Sequence, residues 1–292
     1  GSNWRNGPGY RAGATSTVQA AIRSALGNSE LVGGYGRADL AIQTLVDLKA
    51  SAVGIHEFDT GDAGLSDVIK ESLPDWPGAS FPYLSANIDF STSTRLRDLF
   101  TNEILPTAAF VSREDEINYK LSVATFLRTE NHYLYGVVGV TAGNLFYHVQ
   151  SENVVVQNSL TYNSAAAVAA YVQPYVDALT EMGVNKIILL SSLGNLTLAK
   201  ELATQLSGVD IIIEGSVTTQ YTTKVMANDI NNLMPGDTIS ESYPYKTTGK
   251  DGNPVVLAYT KGQYEYAGLL KVTFDPYGVV TSAGGDVYGA TT

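Results

Sequence analysis

Residues 183–194 read GVNKIILLSSLG and residues 208–219 read GVDIIIEGSVTT. The apolar runs inside them, VNKIILL at 184–190 and VDIII at 209–213, lack the polar alternation of a half-solvated strand. Short continuous apolar runs of this kind belong to strands covered on both faces. A helix fits 197–206 between them. Just upstream, 164–182 (SAAAVAAYVQPYVDALTEM) is the clearest helix of the chain, with Ser164 placed to cap it. Pro174 inside it predicts a kink or a break. Helix, strand, helix and strand alternate through 164–213, which argues for a mixed sheet covered by helices. The fold class is α/β.

Working outward, the apolar spacing predicts helices over 17–26 (Val18, Ala21, Ile22 and Ala25, with Gly27 as the stop), over 37–48 (Leu40, Ile42, Leu45, Val46, Leu48) and over 63–72. Ser51 to Ile55 reads as a short buried strand, followed by an acidic turn from His56 to Asp62. Segments 81–88, 108–110, 120–127 and 133–140 read as short, closely spaced strands with antiparallel pairs. Strands at 255–260 and 268–274 lead to a turn at Asp275-Pro276-Tyr277-Gly278. The Gly-rich opening residues are irregular. The expected organisation is an irregular or helical segment over 1–32 and one domain over 33–292.

The 292 residues carry 18 Lys and Arg against 29 Asp and Glu, a net charge of −11. Such a surface repels nucleic-acid polymers and anionic membranes. Cysteine is absent, which removes disulfides, thiolate nucleophiles and Cys-ligated metals. Only three histidines occur, His56, His132 and His148, so a transition-metal site would lean on carboxylates. No apolar run is long enough to span a membrane. Gly1-Ser2 reads as a tag remnant, and the Tyr-, Gly- and Ser/Thr-rich composition leans toward an exported protein, extracellular or periplasmic.

GIHEFD at 54–59 follows the predicted strand and precedes a helix, so a strand end presents one imidazole and two carboxylates. This stretch resembles the GNHEFD signature of the 5′-nucleotidase branch of the calcineurin-like metallophosphoesterases. FPYLSANI (81–88), YGVVGVTAGN (135–144), GVNKIILLSSLG (183–194), GVDIIIEGSVTT (208–219) and PVVLAYTKGQYEYAGLLKVTFDPYG (254–278) resemble further segments of that family, in the same order. The resemblance covers roughly 33–282. It implies an α/β/β/α four-layer sandwich of two mixed sheets. It also implies two divalent metals that activate water for attack on phosphorus.

The ligand positions it implies are occupied differently here. The family's Asn ligand falls on Ile55, one His ligand on Ser192, and two more on Ser216 and Thr218. The DxH pair and the GD expected upstream of about residue 35 are not found, and residues 1–32 hold no Asp and no His. An apolar side chain donates no lone pair, and neutral hydroxyls are poor substitutes for imidazole at Mn, Fe or Zn. The set reads as loss of the dinuclear centre, with no metal cofactor expected. His56 and Asp59 survive, the relic of a dyad that in the family stabilises charge on the phosphoryl group.

The leading expectation is therefore a degenerate, non-catalytic domain acting as a binding or structural module, with a protein or cell-surface partner. A second is a phosphoester hydrolase with a reorganised Mn, Zn or Ca centre drawn from His56, Glu57, Asp59, Glu214 and His148. A third is a small-anion or nucleotide pocket formed by His56, Ser191, Ser192 and Ser216. The family's separate nucleoside-binding C-terminal domain has no counterpart in these residues. Against each stands a plainer reading. His56, Glu57 and Asp59 brace a turn; His132 is a solvated loop residue; His148 is surface or core filler. Asp59, Asp62 and Asp67 form a solvated acidic loop rather than a calcium site. Tyr243, Tyr245, Tyr259, Tyr264 and Tyr266 pack on strand faces rather than forming a stacking surface. Asn195-Leu196-Thr197 fits a glycosylation sequon.

Overall fold

The structure, a computed structural model, describes residues 16–27, 29–111, 118–145, 154–157, 161, 163–215, 223–261 and 265–290. Its frame is a seven-stranded mixed sheet. The strand order is Tyr245–Thr248, Pro254–Tyr259, Ile211–Glu214, Ile187–Ser192, Leu134–Thr141, Ala124–Arg128 and Leu105–Pro106. The four strands from Pro254–Tyr259 to Leu134–Thr141 run parallel. Antiparallel pairs flank these four, with Tyr245–Thr248 at one edge and Ala124–Arg128 on the other side, beyond which Leu105–Pro106 adds a parallel edge strand. A smaller parallel sheet holds Ser51–Ala52, Tyr83–Leu84, Leu121–Ser122 and Phe100–Thr101, in that order.

Helix Ala165–Glu181 forms as its sequence dictates. The Ser164 side chain accepts from Ala167 N at 3.2 Å, and Ala165, Val168, Ala169, Val172, Val176 and Leu179 fall on one buried stripe. Of the kink or break expected at Pro174, the break does not occur, and the helix runs on from Ala165 to Glu181. Pro174 and Ala170, whose carbonyl loses its partner, are both exposed, so the freed oxygen lies on the solvent side of the helix. This helix and Leu196–Ala203 share one core with Ile187, Leu189, Val138, Val140 and Ile212 of the large sheet. Helices Arg37–Leu45 and Gly61–Ile69 share a second core with Val53, Phe81 and Tyr83.

The two sheets meet at Gly139. A Cβ there would lie 2.2 Å from the Leu84 carbonyl oxygen, so only glycine lets the sheets approach this closely. Ala86 N–H donates to Gly139 O at 2.8 Å, and Thr141 Oγ1 donates to Val53 O at 2.7 Å. Asn87 and Thr141 exchange two further bonds of 2.8 and 2.9 Å.

Four local expectations are corrected. Ser51 to Ile55 is extended only over Ser51–Ala52, because Gly54 N–H donates to Glu57 Oε2 at 2.7 Å and curls Ile55–Phe58 into a 3₁₀ turn. Residues 108–110 are a 3₁₀ turn, Thr107–Phe110, anchored by the buried Phe110 ring. Segment 81–88 is not one strand: Tyr83–Leu84 belongs to the small sheet, and Ile88 opens a separate strand, Ile88–Asp89, that pairs with Val155–Val156. Coverage of the two apolar runs is incomplete. Ile188 and Leu190 are half-buried, and Ile213 is 41% exposed.

Candidate functional site

Strands Ser51–Ala52, Leu134–Thr141 and Ile187–Ser192 all end on one side of the molecule, as the Thr141–Val53 bond and the Ser192–Thr141 register show. Side chains at their carboxyl ends therefore converge. His56, on the 3₁₀ turn after the first of these, has both oxygens of Asp59 at its Nδ1, at 3.1 and 3.2 Å. The His56 side chain is half-exposed while that of Asp59 is buried. The hydrogen bond to Asp59 raises the His56 pKa above its ordinary value, against the opposing effect of partial burial. The pair is poised to hold an imidazolium at a strand end.

The remaining acids serve the backbone. Glu57 is fully buried and caps Gly54. Glu214 is buried, accepting from Ser191 Oγ at 2.5 Å and from Gly194 N at 3.3 Å, which fixes the turn into helix Leu196–Ala203. The acidic turn is not solvated as expected. Asp59 is largely buried, and Asp62 is buried in the first turn of Gly61–Ile69, where the exposed N–H groups of a helix favour a carboxylate. Asp67 alone is exposed.

Strand alternation separates the two serines. Ser191 shares the helix-covered face with Ile187 and Leu189, and its hydroxyl is committed to Glu214. Ser191 therefore drops out of the anion pocket. Ser192 lies on the opposite face, beside Thr141, 1% exposed, and among the described residues its Oγ has no hydrogen-bond partner. Ile55 packs against the second core with Val53 and Phe58. Ser216, Thr218 and His148 lie outside the described residues.

This donor set does not fit the two metals that the resemblance implies. At the described positions one ligand place is a half-buried alkyl group packed against a hydrophobic core and another is a neutral hydroxyl. Among the described residues no three of His, Asp and Glu gather closely enough to hold an ion.

Other candidates resolve away from the site. His132 is exposed in the turn 129–133, with φ 65°. Tyr243, Tyr259 and Tyr266 are buried, and Tyr245 carries Lys200 over its ring at 4.5 Å, so these four present no stacking surface. Tyr264 lies outside the described residues. Asn195 is exposed, and its Oδ1 accepts from Leu198 N at 3.1 Å as the helix cap. Sequence reasoning missed Lys120, fully buried, whose Nζ donates to Ala79 O at 2.5 Å and Phe110 O at 2.9 Å. A single Lys within an apolar strand is its only trace in the sequence.

The apposed sheets, with the site at the strand ends, define the class as a calcineurin-like phosphoesterase fold. Solved structures agree. A 5′-nucleotidase precursor from Thermus thermophilus superposes with TM-score 0.65 at 24% identity, over 87% of this chain and 41% of that one. The calcineurin-like phosphoesterase YfkN from Bacillus subtilis gives TM-score 0.53 at 16% identity, over 98% and 74%. Among curated proteins, the 5′-nucleotidase of Bos taurus is 32% identical over 245 residues, 82% of this chain and 34% of the relative. A snake venom 5′-nucleotidase of Naja atra is 29% identical over 240 residues, 81% of this chain and 37% of the relative. The chain belongs to the 5′-nucleotidase family of calcineurin-like metallophosphoesterases. It spans about a third of the length of these curated relatives, and no family model matches it. Among the described residues no helix is long and apolar enough to cross a membrane.

Proposed function

We propose that this chain is a 5′-nucleotidase-like domain that has lost the dinuclear centre and works as a binding or structural module of an exported protein. The observation that carries this reading is Ile55. At the place of the family's Asn ligand it is half-buried and packs against the second core, which holds Val53 and Phe58. Reversing the loss therefore takes more than a bound ion, because a polar donor at 55 has to leave an apolar cluster. Ser192 and the structural commitments of Glu57 and Glu214 support the same reading. The exported setting is supported by the venom relatives and by the Tyr-, Gly- and Ser/Thr-rich composition.

The test is metal content with turnover. Purified protein incubated with Mn²⁺, Zn²⁺, Fe²⁺ and Ca²⁺, then desalted, holds no stoichiometric transition metal and hydrolyses neither nucleoside monophosphates nor bis-(p-nitrophenyl) phosphate. One or two equivalents of metal together with turnover lost in His56→Ala establishes the alternative, a phosphoester hydrolase with a reorganised centre.

A second reading, capture of a small anion, has its own support. His56 is a half-exposed imidazole held by a carboxylate, and Ser192 Oγ is buried without a partner among the described residues. On this reading inorganic phosphate or AMP raises the melting temperature of the wild type and not of His56→Ala.

A further inference from the structure

The parallel strands of the large sheet carry His56 and Ser192 at their carboxyl ends. Their amino ends, on the opposite side of the molecule, gather aromatic rings around one lysine. Lys186 immediately precedes strand Ile187–Ser192 and is 7% exposed. Its Nζ donates to Asn185 Oδ1 at 2.8 Å and lies over the Tyr133 ring at 5.1 Å and the Phe274 ring at 5.7 Å. Tyr135 meets Phe274 edge-on at 6.4 Å. Gly136 and Ile187 face helix Ala165–Glu181, so Tyr135 and Lys186, one residue earlier on each strand, face the other way.

Two of these rings are held outward on braced turns. Tyr277 is 83% exposed and Tyr133 56%. Beneath Tyr277, Asp275 Oδ1 accepts from Tyr277 N and Val279 N, each at 2.9 Å. A Cβ on the adjoining Gly278 would lie 1.9 Å from Asn185 O, so this turn is seated on the residue before Lys186. Tyr133 N donates to Thr129 Oγ1 at 3.2 Å, and Tyr133 O accepts from Thr129 N at 2.9 Å. Lys186 covers one face of the Tyr133 ring and leaves the other to solvent. Aromatic surface on a fixed backbone costs a ligand little ordering entropy.

Charge selects the occupant. The Lys186 ammonium is committed to Asn185 and two rings, and the rim carries Arg128 against Glu130 and Asp275. With a chain charge of −11, nothing here holds a phosphate or an acidic polymer. A cationic ligand is repelled by the lysine that already occupies the rings. Asn185 is exposed and turns its Oδ1 to Lys186, which leaves its NH₂ to donate outward, and each tyrosine hydroxyl donates and accepts. Flat ring faces bordered by amide and hydroxyl groups match an uncharged pyranose, whose C–H face lies on a ring while its hydroxyls meet the border. Two rings on separate turns suit a chain of sugars.

We propose that this end of the domain is a glycan-binding surface, on which an uncharged polysaccharide stacks against Tyr133 and Tyr277 and hydrogen-bonds Asn185. It supplies the binding-module reading with its partner class and rests on that reading for its purpose alone. The rings stand at the far end of the sheet from His56, and metal content decides nothing about them.

The test is native electrophoresis of the whole chain in gels containing hydroxyethylcellulose, laminarin, galactomannan or glycol chitin, and migration is slowed in at least one. In that gel Tyr133→Ala and Tyr277→Ala each weaken retention about three- to tenfold, and Tyr133→Phe keeps most of it. Tyr35→Ala removes a ring that is 57% exposed elsewhere on the molecule and changes nothing. Ordinary migration in all four gels overturns the proposal, as does retention that survives loss of both Tyr133 and Tyr277. Retention by heparin alone assigns the surface to charge and overturns it too. So does a dimer in sedimentation that is lost in Tyr277→Ala, which gives the rings to a second copy. Phosphoester turnover is measured on the same proteins. Turnover with intact retention removes the degenerate-centre reading and leaves the glycan surface standing, and absent retention leaves the metal reading untouched.

Discussion

Replacing Gly139 by Ala tests the closest point between the two sheets. The added methyl would lie 2.2 Å from Leu84 O, 2.4 Å from its carbonyl carbon and 2.5 Å from its Cβ. Ordinary contact begins at 3.4 Å, so the shortfall is about 1 Å, and two of the three atoms are backbone that no rotamer change removes. The sheets must separate by about that much. At that separation the 2.8 Å bond from Ala86 N to Gly139 O and the 2.7 Å bond from Thr141 Oγ1 to Val53 O both pass the limit of a hydrogen bond. Two buried bonds at about 1 kcal/mol each, with an overpacking cost of about 1–3 kcal/mol, give a loss of about 3–5 kcal/mol. Urea unfolding followed by tryptophan fluorescence measures it. Gly284→Ala, where no atom lies within 4 Å of the new methyl, is the matched control and changes stability by less than about 0.5 kcal/mol. A Gly139→Ala loss below about 1 kcal/mol would refute the close approach and, with it, the placement of Val53 to His56 beside Thr141 and Ser192.

Two further outcomes follow from buried or paired charges. Burial lowers the Lys120 pKa from 10.5 to about 8, partly countered by Glu71, so between these values the unfolded chain holds a proton that the folded one has released. Stability therefore rises with pH across that window, by about 3 kcal/mol in all, and the rise is absent in Lys120→Met; parallel profiles for the two proteins would contradict the burial. At His56 the sign is opposite. Its raised pKa means that the contribution of the Asp59 pair is present below pH 6.5 and is lost as pH climbs through the folded value. In an imidazole NMR titration Asp59→Asn moves His56 down toward its ordinary range, and an unmoved His56 would show that the pair does not form in solution.

Much of the fold was legible because local chemistry and burial agree along the chain. The helix over 164–182 was readable from its apolar stripe and Ser cap, and the strands at 187–192 and 211–214 from unbroken aliphatic runs. The turn at Asp275 to Gly278 was readable because Asp275 Oδ1 accepts from Tyr277 N and Val279 N, and Gly278 supplies φ 93°. The shortness of Ser51–Ala52 was not, since Glu57 curls the chain by a hydrogen bond that no periodicity records. At the site, the sequence named His56 and Asp59 as a pair and marked Ile55 and Ser192 as replaced positions, because those readings need only residue identity and order.

Sequence alone determined the α/β class, the family resemblance and the identity of the side chains at the strand ends, all of them properties of local pattern. Tertiary structure decided which of those side chains share a space. The two-residue period of a strand sends Ser191 to Glu214 under the helices and Ser192 to the opposite face, although they are adjacent in the chain. It also decided that Asp62 is buried and that Ile213 is not, because burial depends on what the other layer covers and not on the residue's own polarity.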